Sequence, residues 1–220
     1  MLLGGIRSPL RNNKFKETTP HSEIRNPKSK IKKMAISKEL KEVILLMPAK
    51  EKDKLLLRLI GKDDNLIQRL EFELLEEGLT IDDRRNDIKK SIEKLYKQSA
   101  YSSGYLMMDM RYVNSEITQH VKTTKDKYGE VELTLLLLNE CFEKHLKWIE
   151  KYSSKSDTLA AYVAKRTEFV LNKVTKLHPD IQFEFEEGLN LLLQRVHQYA
   201  PAFYAKELKL PKIFEIEYKD

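Results

Sequence analysis

The chain has 220 residues, 40 Lys/Arg against 34 Asp/Glu, one cysteine, and only seven glycines and seven prolines. That length suffices for one sizeable core, and a single cysteine excludes an internal disulfide. Scarce Gly and Pro beside abundant Leu, Lys and Glu argue against a turn-rich sandwich or barrel and for helices.

The net charge of +6 is unevenly spread. Residues 1–36 hold nine basic and two acidic residues, while the other 184 hold 31 basic and 32 acidic. Bulk charge therefore gives no support to nucleic-acid or anionic-membrane binding by the folded part. No run approaches the ~18 apolar residues of a membrane span. No secretory signal is evident at the N-terminus, so the expected location is cytoplasmic.

Residues 1–33 are punctuated by three prolines and show neither helical nor strand periodicity. Such a stretch is expected to be disordered. It reads either as a basic arm for RNA, DNA or a membrane surface, or as a gene-model extension upstream of a start at Met34. The second reading is favoured.

A helical domain is expected over residues 34–204. Ser37 suits an N-cap, with Leu40 the first buried residue and Val43, Ile44 and Met47 on the same face. Pro48 suits the first turn of a second helix. That helix carries Leu55, Leu56, Leu59 and Ile60 and stops at Gly61. Asp63 or Asp64 caps a third, with Leu66, Ile67, Leu70 and Leu74 inside and Gly78 as its stop. These three helices are too short to stand alone, so they are expected to stack on one another and on the helices after them.

Thr80 opens a fourth helix, with Asp82 and Asp83 where the dipole favours anions. Ile81, Ile88, Ile92 and Leu95 form its narrow apolar stripe. Its basic residues, Arg84 and Arg85 among them, read as a solvated face or, alternatively, a docking patch for an acidic partner. A fifth helix begins after Ser102, with Leu106, Met110, Val113, Ile117 and Val121 inside. Residues 122–129 read as a polar loop with a turn at Tyr128 and Gly129.

The most apolar long segment is VELTLLLLNECFEKHLKWIEKY, residues 131–152. One helical stripe runs Val131, Leu135, Leu138, Phe142, Leu146 and Ile149. A second runs Leu137, Cys141, His145, Trp148 and Tyr152. Two stripes exceed what a surface helix needs, so this is read as a central helix packed on more than one side.

Asp157 or Ser156 caps the seventh helix, with Leu159, Val163, Val170, Val174 and Leu177 inside. Pro179 opens the eighth, with Ile181, Phe185, Leu189, Leu192, Val196 and Tyr199 inside. Short connections make consecutive helices antiparallel neighbours. The expected fold is all-α: about eight helices around a central one, with a disordered N-terminal arm and an extended C-terminal arm over 205–220.

In that last arm Phe214, Ile216 and Tyr218 alternate with Glu215 and Glu217, the only strand-like period in the chain. With no sheet to join, the three apolar residues either lie in a groove between helices or meet a partner. They are the interaction candidates, with docking within the chain favoured.

Three stretches carry a resemblance: LKEVILLMPAKEKDKLLLRLIGKDDNLIQRLEFELLEE, YLMMDMRYVNSEITQHVK and LHPDIQFEFEEGLNLL. Over roughly residues 38–198 they resemble an uncharacterised all-helical family of cytosolic Bacteroidota proteins. Some members carry the label deoxyuridine triphosphate nucleotidohydrolase. All-helical nucleotide pyrophosphatases pair an ExxE motif with an ExxD-type motif on the next helix, so that four carboxylates hold Mg²⁺ against phosphates. Glu73/Glu76, Glu140/Glu143 and Glu184/Glu187 have the first spacing, and no ExxD pair comes after them at hairpin distance.

Cys141 and His145 stand one helical turn apart, and Glu116 and His120 repeat that spacing on the fifth helix. Together they could hold a metal, or form a thiolate–imidazole pair. Buried packing roles are favoured instead, so no catalytic, cofactor or metal residue is assigned. Asp109, among apolar neighbours, is expected to need a basic partner. The sequence reads as a non-enzymatic cytosolic helical module whose partner is another protein. No membrane is expected, and nucleic acid only through residues 1–33. The alternatives are a metal-dependent nucleotide pyrophosphatase-type enzyme or nucleic-acid binding through that arm.

Overall fold

A computed structural model describes residues 36–216. The expectations for residues 1–33 and for Tyr218 lie outside those residues. The chain divides into two compact units, Met1–Pro48 and Ala49–Asp220.

The described part of the first unit is one helix, α1 (Lys38–Leu46). It starts as its sequence dictates: Ser37 Oγ accepts the Leu40 N–H at 3.2 Å. It buries no residue. Leu40, expected inside, is exposed, and so are Val43, Leu45 and Leu46.

The second unit holds α2 (Ala49–Ile60), α3 (Asp64–Leu74), α4 (Ile81–Lys97), α5 (Ser103–Thr124) and α6 (Lys127–His145). A 3₁₀ turn (Leu146–Trp148) leads on to α7 (Asp157–Val174), α8 (Pro179–Gln198) and α9 (Ala202–Glu207). The described residues contain no strand, and none of their helices is long and apolar enough to cross a membrane.

The centre is α6, which packs against α4, α5, α7 and α8. Both predicted stripes are buried along it: Val131, Leu135, Leu138 and Phe142 on one, Leu137, Cys141 and His145 on the other. Leu133 and Thr134 extend the buried surface round the helix, as a helix covered by four neighbours requires. The helix stops at His145. Beyond it Ile149 is buried and its carbonyl accepts the Ala200 N–H at 3.0 Å, while Tyr152 is exposed.

The expected loop at 122–129 is much shorter. Lys125, in the left-handed region at φ 61°, ends α5, and Asp126 caps α6. Tyr128 and Gly129 are in the first turn of α6, and the glycine is there for space. A Cβ at Gly129 would stand 2.1 Å from Oδ2 of Asp126, whose other oxygen, Oδ1, accepts the Gly129 N–H and caps the helix.

Small residues let α7 approach its neighbours: Ala160 and Ala164 are fully buried beside Leu159, Val163, Val170 and Val174. Pro179 is the first residue of α8, where its missing N–H costs nothing. The one long helix before α5 that lies flat on the core is α4, through Ile88, Ile92 and Tyr96.

The stacking expected for the first helices is only partly present. α3 packs on α5 through buried Phe72, and its Gln68 accepts from Gln119 at 2.8 Å. α2 buries nothing. Leu74, expected inside, is exposed.

Candidate interaction surface

The structure keeps Cys141 and His145 on one helix but sets His120 far from His145. His120 lies near the end of α5, where its Nε2 is 2.9 Å from Asp126 Oδ2. His145 ends α6. At 1.5 Å per residue these positions are at opposite ends of a helix about 28 Å long. Cys141 is fully buried, and burial pushes its thiol pKa up to about 12. Its neighbour is Tyr96, whose hydroxyl donates to the Leu137 carbonyl at 2.6 Å. The His145 ring packs 5.7 Å from the Tyr96 ring, and its burial disfavours the imidazolium. Glu116 lines a small groove between α4 and α5 with Asp109, Tyr112 and Lys94. Asp109 itself is exposed, so it needs no buried partner.

Among the described residues no three His, Cys, Asp or Glu side chains are grouped so that they could hold a metal ion. Several ExxE carboxylates are tied up locally. Glu73 pairs with Arg69 at 2.6 Å, Glu76 with Arg84 at 2.6 Å and Glu143 with Arg195 at 3.0 Å. Glu184 accepts from the Tyr128 hydroxyl at 2.9 Å.

Most of the basic side of α4 is likewise occupied. Lys89 reaches Glu132 on α6, Lys90 reaches Asp87 and Lys97 reaches Glu93. Arg85 goes deepest. Its guanidinium straddles the Asp126 carboxylate at 2.6 and 2.8 Å and lies over the Tyr128 ring. Burial works against the charge on Asp126. Hydrogen bonds from His120, Arg85 and the Gly129 N–H outweigh it and hold the carboxyl well below the ordinary carboxylate range. No sequence period marks Asp126, because its role depends on three helices meeting.

At the C-terminus, α9 occupies Ala202–Glu207, a turn follows at Leu208 and Lys209, and the extended stretch begins only after Lys209. Phe214 is buried and Ile216 half-buried, with Glu215 between them exposed. The alternation expected for this arm is therefore present without any sheet. Asn190 on α8 fixes it: its Oδ1 accepts the Phe214 N–H at 2.7 Å and its Nδ2 donates to the Phe214 carbonyl at 3.3 Å. Beside this segment, the α7–α8 turn and Gln182 frame a groove of about 780 Å³.

The least satisfied surface lies elsewhere. Of the fourteen exposed Leu, Ile and Val residues among the described ones, five lie in the first unit and seven between residues 49 and 79 of the second. The stretch 49–79 is about a sixth of the described chain. In the second unit they include Leu57 at 68 %, Leu74 at 70 %, Leu75 at 78 % and Leu79 at 81 % exposure. Scattered exposed leucines are ordinary, but a concentration of them marks a contact surface. Sequence reasoning misses Leu57 and places Leu74 inside. The helical period identifies an apolar face but not what covers it.

No family model, curated protein or solved structure matches this chain.

Proposed function

We propose that this chain is a non-enzymatic, cytosolic helical module that binds protein through α2 and α3. The observation that carries the proposal is the crowding of exposed leucines into this part of the second unit, Leu56, Leu57, Leu59, Leu74, Leu75 and Leu79 among them, on helices that bury little or nothing themselves. A helix of 12 residues such as α2 is marginal in water unless a neighbour covers its apolar side. An uncovered aliphatic face on a molecule whose core is complete is what a docking surface requires.

The test is affinity capture from the native host with the wild-type chain and with Leu57→Glu. The variant should lose a protein that the wild type retains. Identical captured proteins would count against the proposal. A membrane partner is not part of this reading.

A further inference from the structure

We infer that the α2–α3 face is closed by a second copy of this chain, in a two-fold symmetric dimer. The inference rests on the protein-interaction reading above and names the partner of that surface.

Charge distinguishes the two helices. α2 carries four basic and two acidic residues. Residues 63–77, which hold α3 and its C-terminal turn, carry six acidic and one basic. On α2, Lys50, Lys54 and Arg58 recur every fourth residue and so form one ridge, with exposed Leu57 beside it. On α3, Asp64, Ile67, Glu71 and Leu74 recur at spacings of three and four, so they share one face. Phe72, which seats α3 on the core, points away from that face. One helix thus presents a basic ridge flanked by leucine, and the next an acidic ridge flanked by leucine.

A two-fold axis turns this asymmetry into a fit. In an isologous contact, residue i meets residue j and j meets i. α2 of one copy then lies on α3 of the other, twice. Basic ridges face acidic ridges, and the exposed leucines close between them. The other two-fold arrangement, α2 on α2, would set like charges together and be disfavoured. The helix α1 offers no such complement, since its two lysines are balanced by two glutamates.

Sedimentation velocity on the full chain, at about 1–100 µM, tests the inference. A concentration-dependent dimer is expected, weakening as salt is raised. Arg58→Glu and Glu71→Lys should each raise the dimer dissociation constant about tenfold or more. The two together should restore it to within about threefold of wild type, because the reversed charges again face one another. Leu57→Glu should sediment as a monomer with an unchanged far-ultraviolet circular dichroism spectrum, since the residue is exposed in the single chain. A monomer at every concentration would overturn the inference. So would a dimer indifferent to all three variants, or charge reversals that fail to rescue each other. A monomeric wild type that still captures a host protein through Leu57 would overturn the dimer while leaving the protein-interaction reading intact. Loss of that capture difference alone would overturn only the reading of a host partner.

Discussion

Asp126 Oδ2 lies 2.6 Å from Arg85 Nε, and that contact fastens the start of α6 to α4. The same carboxylate accepts from His120 Nε2 on α5 and from the Gly129 N–H, so three helices meet on one side chain. Its side chain is 5 % exposed, and that of Arg85 19 %. Removing one member of a buried pair leaves the other charge uncompensated. Asp126→Ala is therefore expected to cost about 3–5 kcal/mol by denaturant titration, and a loss under about 1 kcal/mol would be inconsistent with a buried pair.

The same group sets part of the acid limb. Its folded pKa lies below its ordinary value of 3.8. A depressed carboxyl contributes stability that is full above the unfolded pKa and is lost as pH falls toward the folded one. Stability should therefore drop progressively below about pH 4. Asp126→Asn should show a flatter acid limb than wild type, at lower stability throughout. Parallel limbs for the two proteins would assign the acid sensitivity to other groups.

Gly129→Ala should be destabilising even though alanine favours helix. The added Cβ would stand 2.1 Å from Asp126 Oδ2 and 2.8 Å from Arg85 Nε. The carboxylate must move, and the cost is expected at about 1–3 kcal/mol. In Asp126→Ala the nearer obstacle is gone and Arg85 is released from it to move aside, so adding Gly129→Ala there should cost much less. Additive losses in the double variant would show that the clash is not with Asp126.

The central helix was legible because α6 is covered on several sides and its sequence is apolar on several sides. Leu135, Leu137, Leu138 and Phe142 are all buried as their spacing demands. Caps at Ser37 and Asp63 were legible for a local reason: each accepts a backbone N–H within three residues. What the sequence could not supply was the partner of each face. Leu40, Leu57 and Leu74 carry the same apolar signal as Leu138, yet they are exposed. The words FELLEEGLT and FEFEEGLN show a second limit. Gly78 stands at φ 73°, where its N–H reaches the Phe72 carbonyl and closes α3. Gly188 is inside α8, where its missing side chain makes room for Leu135. Nearly the same local letters serve a helix stop and a close helix approach, and only the surroundings distinguish them.

Leu138→Ala and Phe142→Ala should each cost about 2–5 kcal/mol, from lost burial plus the cavity left behind. Leu138 is fully buried and Phe142 is 3 % exposed. Chemical denaturation measures both. Losses below about 1 kcal/mol would mean that α6 tolerates cavities as a peripheral helix does.

Cys141 should resist thiol reagents in the folded protein. The thiolate is the reactive form, and burial pushes this thiol pKa up to about 12. At pH 8 labelling should proceed only as fast as the protein opens, and become immediate in denaturant. Rapid labelling of the native chain, without loss of helicity, would place the cysteine at an accessible surface instead.

The C-terminal segment should stabilise the domain by docking on α8. An extended chain alternates its side chains, so burying Phe214 and part of Ile216 leaves Glu215 in water. Asn190 satisfies both backbone groups of Phe214, as a strand partner would. His197 adds a donor to the Pro211 carbonyl at 3.0 Å. Burial of one phenylalanine and half an isoleucine, offset by ordering the chain, should contribute about 1–3 kcal/mol. Deleting residues 212–220 should remove that amount. Asn190→Ala should remove about 1 kcal/mol in the full chain and less in the shortened one, where its partner is gone. Equal losses in both would show that Asn190 acts elsewhere on α8. If the shortened protein keeps full stability but no longer captures a host protein, the arm is released in solution and Phe214 belongs to an interface rather than to the core.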